Sequence, residues 1–483
     1  MLFNSFSFFL FLPIVLVLYM ITPKKYRWAL LLVASYYFYM SWNATYALLI
    51  AFSTLVTYAS GIYIYKAKTE KLKTLIVAIS FITNLAILFF YKYFNFFSET
   101  IGKAFDVIGM PIDAPILDLL LPVGISFYTF QALSYTMDVY RNEIKPERHI
   151  GIYALFVSYF PQLVAGPIER SKHLLPQLRN LKNFEYDNLR AGLLLMLWGF
   201  FKKIVIADRV AILVNTVYNN PGDYTGIETV WAVLFFSVQI FCDFSAYTDI
   251  ARGVARLMGI DIMNNFNSPY FAKSITEFWR RWHISLSTWF RDYLYIPLGG
   301  SRKGLQRTYW NLFIVFLVSG LWHGASMNFV IWGAMHGVFI VLEKMLNKNK
   351  QKGESSTPTL TNKIFNGLFT FSVVTFLWIF FRADTFTDAI LVVKNLFNWN
   401  YENLFNGSLF NLGLTANEFL WVLVFIVIML IVEYYNSFIK SISQLLLQQH
   451  IALRWTVYLV FVFIILIFGA YGGEQQEFIY FQF

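Results

Sequence analysis

The chain has 483 residues, 58% hydrophobic and only 14% charged, with a mean hydropathy of +0.54. Soluble domains carry about 25% charged residues, so this composition excludes a soluble enzyme and predicts a polytopic protein in contact with membrane lipid. The net charge of +10 sits in short loops rather than in a basic domain, which argues against nucleic-acid binding, and the single Cys242 excludes a disulfide framework or a cysteine-based metal site.

The N-terminal stretch MLFNSFSFFLFLPIVLVLYMITPKK has neither the basic start nor the A-x-A site of a cleaved leader. It predicts a first span over 6–22, with residue 1 outside and Lys24, Lys25 and Arg27 inside. Spans over 28–41, 46–64, 74–92 and 116–140 follow, and the basic loops 66–73 and 141–148 fall on the cytoplasmic side. The alternation then fails at FVSYFPQLVAGPIERSK, where crossing would leave a basic segment outside. A re-entrant segment is expected instead, its irregular backbone buried in protein and lining a cavity. Spans over 190–206 and 227–257 come next.

The segment SPYFAKSITEFWRRWHISLSTWFRDYLYIPLGGSRKG predicts one amphipathic helix at the cytoplasmic interface, ended by Pro297, Gly299 and Gly300. At helical spacing Trp279, Trp282, Leu286, Phe290 and Tyr293 share one face, and Arg280, Ile284, Ser287 and Arg291 another. An uncharged run over 308–342 is too long for one span of about 20 residues and has basic residues at both ends. It predicts a helical hairpin turning at residues 324–326. NKNKQKGESSTPTLTNK, residues 347–363, predicts a cytoplasmic linker, and spans over 364–382, 418–436 and 455–471 close the chain with its tail outside. The expected fold is an all-α polytopic membrane protein, one domain over 1–483. About 10–12 transmembrane helices, with re-entrant and amphipathic cytoplasmic helices, would surround a central tunnel.

His323, in SGLWHGASMNF, lies at the expected hairpin turn. An ionisable group at that depth is costly and faces a cavity or the bundle interior. An apolar setting favours the neutral imidazole, a general base for a hydroxyl and, beside an activated ester, a catalyst of acyl transfer. A packing histidine bonded to a carbonyl fits the same position, and the residues alone leave both readings open. No G-x-S-x-G accompanies it and no histidine pair has metal-ligand spacing. His283 is expected near the cytoplasmic face, at a different depth from His323. His336 is expected as a helix-contact histidine, and His149, His173 and His450 as solvated. Asp138, Gln239, Asp243 and Asp249 also fall inside apolar stretches. Asp243 and Asp249 project about 120° apart on a straight helix, so they form no dyad and are expected to pair with arginines such as Arg252 or Arg280.

Four stretches, LPVGISFYTFQALSYTMDVYR, FPQLVAGPIER, NFNSPYFAKSITEFWRRWHISLSTWFRDYLYIPLGG and GLWHGASMNFVIWGAMHG, resemble the membrane-bound O-acyltransferase (MBOAT) family. They resemble most its bacterial branch of alginate and peptidoglycan O-acetylases and teichoic-acid D-alanyl transferases. The likeness extends to TFLWIFFRA at 375–383 and to the terminal FIYFQF, which favours the O-acetylases. It implies that His323 and His283 are catalytic and that Arg280, Arg281, Trp282, Trp322 and Asn328, in the same motifs, bind substrate. The two arginines would hold the donor's phosphates.

It further implies an O-acyltransferase of the cytoplasmic (inner) membrane with no bound cofactor or metal. Acetyl-CoA or an acyl carrier protein thioester would donate from the cytoplasm, and an extracytoplasmic polysaccharide would accept. With no soluble domain to align a polymer, the chain is expected to hand its acyl group to an extracytoplasmic partner, an SGNH or serine-esterase-like transferase. D-alanyl transfer to teichoic acid is the alternative within the family. A transporter or flippase would also use interrupted helices and buried carboxylates, but the sequence lacks the related halves such folds show. A structural scaffold for an envelope complex is the third reading.

Overall fold

The computed structural model describes residues 1–350, 359–404, 406–471 and 478–479, the side chains of 347–350, 402 and 404 excepted. Every regular element among the described residues is a helix, and where one domain was expected the chain divides into two compact units. One is Met1–Leu193 with Ile250–Met263, the other Leu194–Asp249 with Asn264–Phe483.

In the first unit, α1 (Phe6–Ile21) starts where Ser5 Oγ accepts the N–H of Phe8. It buries Phe8, Phe11, Leu12, Val15 and Tyr19, one stripe at helical spacing. Helices α2 (Arg27–Met40) and α3 (Tyr46–Lys66) follow as expected. Helix α4 (Glu70–Leu88) passes through a π turn into α5 (Phe94–Val107), so the span expected over 74–92 is the middle of a helix of 38 residues. The span expected over 116–140 starts later, as α6 (Ile125–Tyr140). Pro115 and Pro122 deny the earlier residues a helix. Asn95 instead holds Leu117 by both main-chain groups, at 2.8 and 2.9 Å. Gly124 makes the entry at φ +76°, where a Cβ would stand 2.7 Å from the carbonyl oxygen of Leu163.

After α7 (Ile150–Ser158) the backbone is irregular and buried up to α8 (Ser171–Arg179), in keeping with a segment that returns instead of crossing. Several polar groups here are met internally: Phe160 N–H donates to Ser35 Oγ at 3.1 Å, and Gln131 and Gln162 both donate to the carbonyl of Phe156. Asp138 accepts from Ser171 Oγ at 2.5 Å. His149 and His173 are engaged rather than merely solvated. His149 caps α7, and His173 lies 2.9 Å from the buried Glu169.

Helix α9 (Tyr186–Phe200) enters a π turn at Phe201–Ala207 and continues as α10 (Asp208–Asn219), so the span expected over 190–206 is interrupted at its end. Helix α11 (Ile227–Leu257) matches its expectation. The single amphipathic helix expected within residues 268–304, ending at Pro297, is broken into α12 (Ile275–Arg281) and α13 (Ile284–Phe290). The break is at Trp282 and His283, the latter in the left-handed region at φ +43°. The two faces read from continuous helical spacing therefore do not exist as such.

The hairpin forms as expected: α14 (Leu305–His323) and α15 (Met327–Lys350) turn at residues 324–326. Two glycines let them touch backbone to backbone. A Cβ on Gly320 would lie 2.2 Å from the carbonyl oxygen of Phe329, and one on Gly333 2.4 Å from that of Phe316. The linker expected over 347–363 narrows, because 347–350 belong to α15 and α16 (Leu360–Arg382) starts at 360. Residues 351–358 lie outside the described residues, as do 480–483 of the tail. Helices α17 (Phe386–Phe397), α18 (Ala416–Phe438), α19 (Ile442–Leu447) and α20 (Ile451–Phe468) complete the unit. His450 caps α20.

Among the described residues seven helices are long and apolar enough to cross a bilayer, and Phe6–Ile21 is a shorter apolar one. Of the other expected spans, α2, α6 and α9 have 14, 16 and 15 residues and fall short of that length. The chain is an all-α, multi-pass membrane protein. Gly320→Val is expected to wedge the hairpin apart and destabilise the protein by at least about 1–3 kcal/mol, the usual penalty of overpacking. Thermal denaturation in detergent reads this, and an unchanged midpoint would deny the close approach.

Candidate functional site

The break between α12 and α13 is stapled by Asn265. Its carbonyl accepts the N–H of Ile284 at 3.0 Å and its side-chain oxygen the N–H of Ser285 at 3.2 Å. These bonds satisfy the first amides of α13, which a helix start otherwise leaves orphaned. His283 precedes them and is turned into the interior, fully buried.

His323 ends α14, and Gly324 follows in an extended conformation, where a Cβ would strike the Phe329 ring at 2.1 Å. The two imidazoles expected at different depths are together, their ring centroids 6.3 Å apart and both buried. Aromatic rings enclose them. Phe244 is 4.7 Å from His283, Trp322 is 5.9 Å from His283 and 5.0 Å from His323, and Trp332 and Phe381 are 5.1 and 5.4 Å from His323. Burial pushes the His283 imidazole down to about 3, so it is neutral at physiological pH.

The residues expected to bind substrate separate into three situations. Trp322 packs on both histidines, and Asn328 Nδ2 donates to the carbonyl of Ala383 at 2.7 Å, tying the turn to the end of α16. Arg280 is exposed and lines a cavity of about 450 Å³. Arg281 and Trp282 do not line it. Arg281 pairs with Glu277 at 2.8 Å and donates to Ser437 Oγ, while Trp282 is fully buried and stacked on Phe278 at 5.4 Å.

The cavity has apolar walls from Leu286, Phe290, Leu312, Val315 and Phe316, with Arg280, Arg291, Lys344 and Glu343 as its charged groups. Ser319 and Leu286 place it relative to the histidines. Ser319 is one turn before His323 on α14, and Leu286 one turn after His283 on α13. The cavity thus runs against the turns that carry both imidazoles. Among the described residues no group of three His, Cys, Asp or Glu side chains is placed to hold a metal ion.

His336 is fully buried, and its Nδ1 accepts from Trp279 Nε1 at 3.2 Å. Asp243 and Asp249 have lysine partners, which the expectation of arginines such as Arg252 or Arg280 did not include. Lys203 Nζ lies between Asp208 at 2.8 Å and Asp243 at 2.6 Å, and Lys202 Nζ meets Asp249 at 2.7 Å and Ser245 Oγ at 2.8 Å. The second oxygen of Asp243 accepts the N–H of Ile479 at 2.7 Å. Both lysines sit in the π turn Phe201–Ala207, and two adjacent lysines in the apolar stretch GFFKKIVIA were the available signal.

These charges fix the rotation of α11, whose Phe241 and Phe244 pack against Trp282 and His283. Lys203→Met leaves two buried carboxylates without their cation and is expected to cost about 3–5 kcal/mol of stability. Denaturation in detergent measures this, and a midpoint equal to wild type would remove the network from the determinants of the fold.

The profile of the MBOAT, membrane-bound O-acyltransferase family matches residues 149–383, which contain both histidines and the whole cavity lining. The chain is 39% identical over 415 residues to the probable alginate O-acetylase AlgI of Pseudomonas aeruginosa, covering 85% of this chain and 78% of that protein. It is 36% identical over 416 residues to the peptidoglycan O-acetyltransferase of Helicobacter pylori, covering 81% and 76%. Similarity to the teichoic acid D-alanyltransferase of Bacillus subtilis is lower, 29% over 281 residues, covering 56% of this chain and 70% of that protein.

Proposed function

Since the chain belongs to the membrane-bound O-acyltransferase family and is an O-acyltransferase, we propose that it moves an acetyl group from a cytoplasmic thioester toward an extracytoplasmic polysaccharide. One observation carries the site assignment. Two buried imidazoles stand 6.3 Å apart, against the turns that line a cavity with a cationic rim. Acetyl-CoA or a carrier-bound thioester supplies the donor. Arg280, Arg291 and Lys344 suit its phosphates, and the apolar walls suit its pantetheine arm.

His323 acts as general base. It takes the proton of the acceptor hydroxyl as that oxygen attacks the thioester carbonyl, the C–S bond breaks, and the imidazolium returns the proton to the departing thiolate. His283, neutral and enclosed, donates its N–H to the carbonyl oxygen as negative charge develops there. Trp322 packs on both rings and holds their orientation. The higher identity to the two O-acetylases than to the D-alanyltransferase favours acetyl over D-alanyl, and an alginate- or peptidoglycan-like polymer over teichoic acid.

The protein resides in the cytoplasmic membrane with the basic 66–73 loop inside. Thioesters are cytoplasmic and the polymer lies outside, so the acetyl group passes to an extracytoplasmic SGNH-like transferase that completes the reaction. His323→Ala is expected to lower transfer of labelled acetyl to polymer by about 10²–10⁴-fold with membrane insertion intact. Activity above about a tenth of wild type would take the base role from His323. Vesicles of the purified protein, with acetyl donor enclosed and polysaccharide outside, are expected to leave the polymer unmodified until an SGNH transferase is added. Full acetylation by this protein alone would sink the relay.

A further inference from the structure

One wall of the cavity is fixed by a hydrogen bond that the proposed chemistry does not use. Trp279 lines the cavity, and its indole N–H donates to Nδ1 of His336 at 3.2 Å. His336 comes from α15, is fully buried, and packs against Trp332 at 4.8 Å and Phe316 at 6.3 Å. Trp332 in turn lies 5.7 Å from Trp279 and 5.1 Å from His323. The Trp279 indole therefore stands between the cavity and the ring that touches the base.

A phenylalanine or leucine at 336 could fill space on α15, but neither could accept a hydrogen bond. An indole N–H in an apolar interior needs an acceptor, and that acceptor selects one rotamer of a large flat ring. With Nδ1 accepting, the proton of the neutral imidazole sits on Nε2. A protonated ring would set N–H against N–H. Close-packed interiors do not yield a ring's width to an extra methylene without strain, so a clamped indole is a fixed stop.

We infer that Trp279, locked by His336, is the stop that limits the transferred group to a two-carbon acyl chain. The inference rests on the acyl-transfer reading above and adds the specificity of that same site. Trp279 is the specificity-determining residue and His336 a positioning residue that acts through it. Longer thioesters would have to push the indole off its acceptor and into Trp332, displacing the packing around His323.

The test uses membranes containing the full-length protein, supplied with polysaccharide and an SGNH transferase, with labelled acetyl-CoA and labelled butyryl-CoA as alternative donors, and reads the ratio of butyryl to acetyl incorporated. Trp279→Ala is expected to raise that ratio about tenfold or more, within the range that methylene-sized differences in an apolar pocket produce. Trp279→Phe, which keeps a ring and is the milder change for folding, is expected to raise it less. His336→Leu is expected to shift the ratio in the same direction, and His336→Asn, whose Oδ1 can accept near the Nδ1 position, to restore wild-type discrimination. A purely structural role would lower both donors in parallel and leave Asn no better than Leu. An unchanged ratio in variants that still transfer acetyl overturns the stop while leaving the acyl-transfer reading intact. Wild-type membranes that transfer neither group overturn both.

Discussion

Asn265 accepts one amide on its carbonyl and the next on its side chain, and this pair of bonds allows a histidine to occupy left-handed backbone between two helices. A non-glycine residue in that region costs about 1–3 kcal/mol and persists only where its surroundings over-determine it. The surroundings here are specific. Trp282 is stacked on Phe278 before the break, Phe244 covers the imidazole, and Asn265 is itself within reach of Thr248 on α11. Without the break, position 283 would follow the helical course of α12. With it, the imidazole turns to meet His323.

The second requirement is a hairpin tight enough to bring His323 to that point. Gly320 and Gly333 remove the side chains that would separate α14 from α15, and Gly324 clears the ring of Phe329 at the turn. Polar atoms in this interior have no water to turn to, and the structure answers with long-range pairings. Trp279 bonds to His336 on α15, Asn328 to the end of α16, and Lys203 to Asp243. The histidine pair is thus supported by contacts between helices remote in sequence, each placed by its own buried polar bond.

That remoteness separates what the sequence shows from what it hides. Charge at the ends of an apolar run is a local property, and it located the hairpin, its turn and His323 correctly. Proline and glycine marked the irregular stretch after α7 for the same reason. Helical spacing, however, assumes a continuous helix, so the faces drawn from Trp279 to Tyr293 ignored the break that Asn265 stabilises from outside that run. The partners of Asp243 and Asp249 were sought among arginines close in sequence or motif. The lysines that meet them belong to a helix some 40 positions earlier, where a π turn presents two consecutive side chains inward. The meeting of His283 and His323 was hidden in the same way, since depth inferred from loop charge treats an interface helix as lying on the surface.

The long helical rod Glu70–Val107, continuous through its π turn, has a further geometric consequence. At about 1.5 Å per residue it measures about 57 Å, against a hydrocarbon layer of about 30 Å. Moderate tilt takes up only a small part of the excess. Its far end carries Glu99, Lys103 and Asp106, and Asn95 and Ser98 bind residues 115–117 back along it. The helix is therefore longer than the layer that such a helix crosses, and its far end doubles as the support along which residues 115–117 are laid.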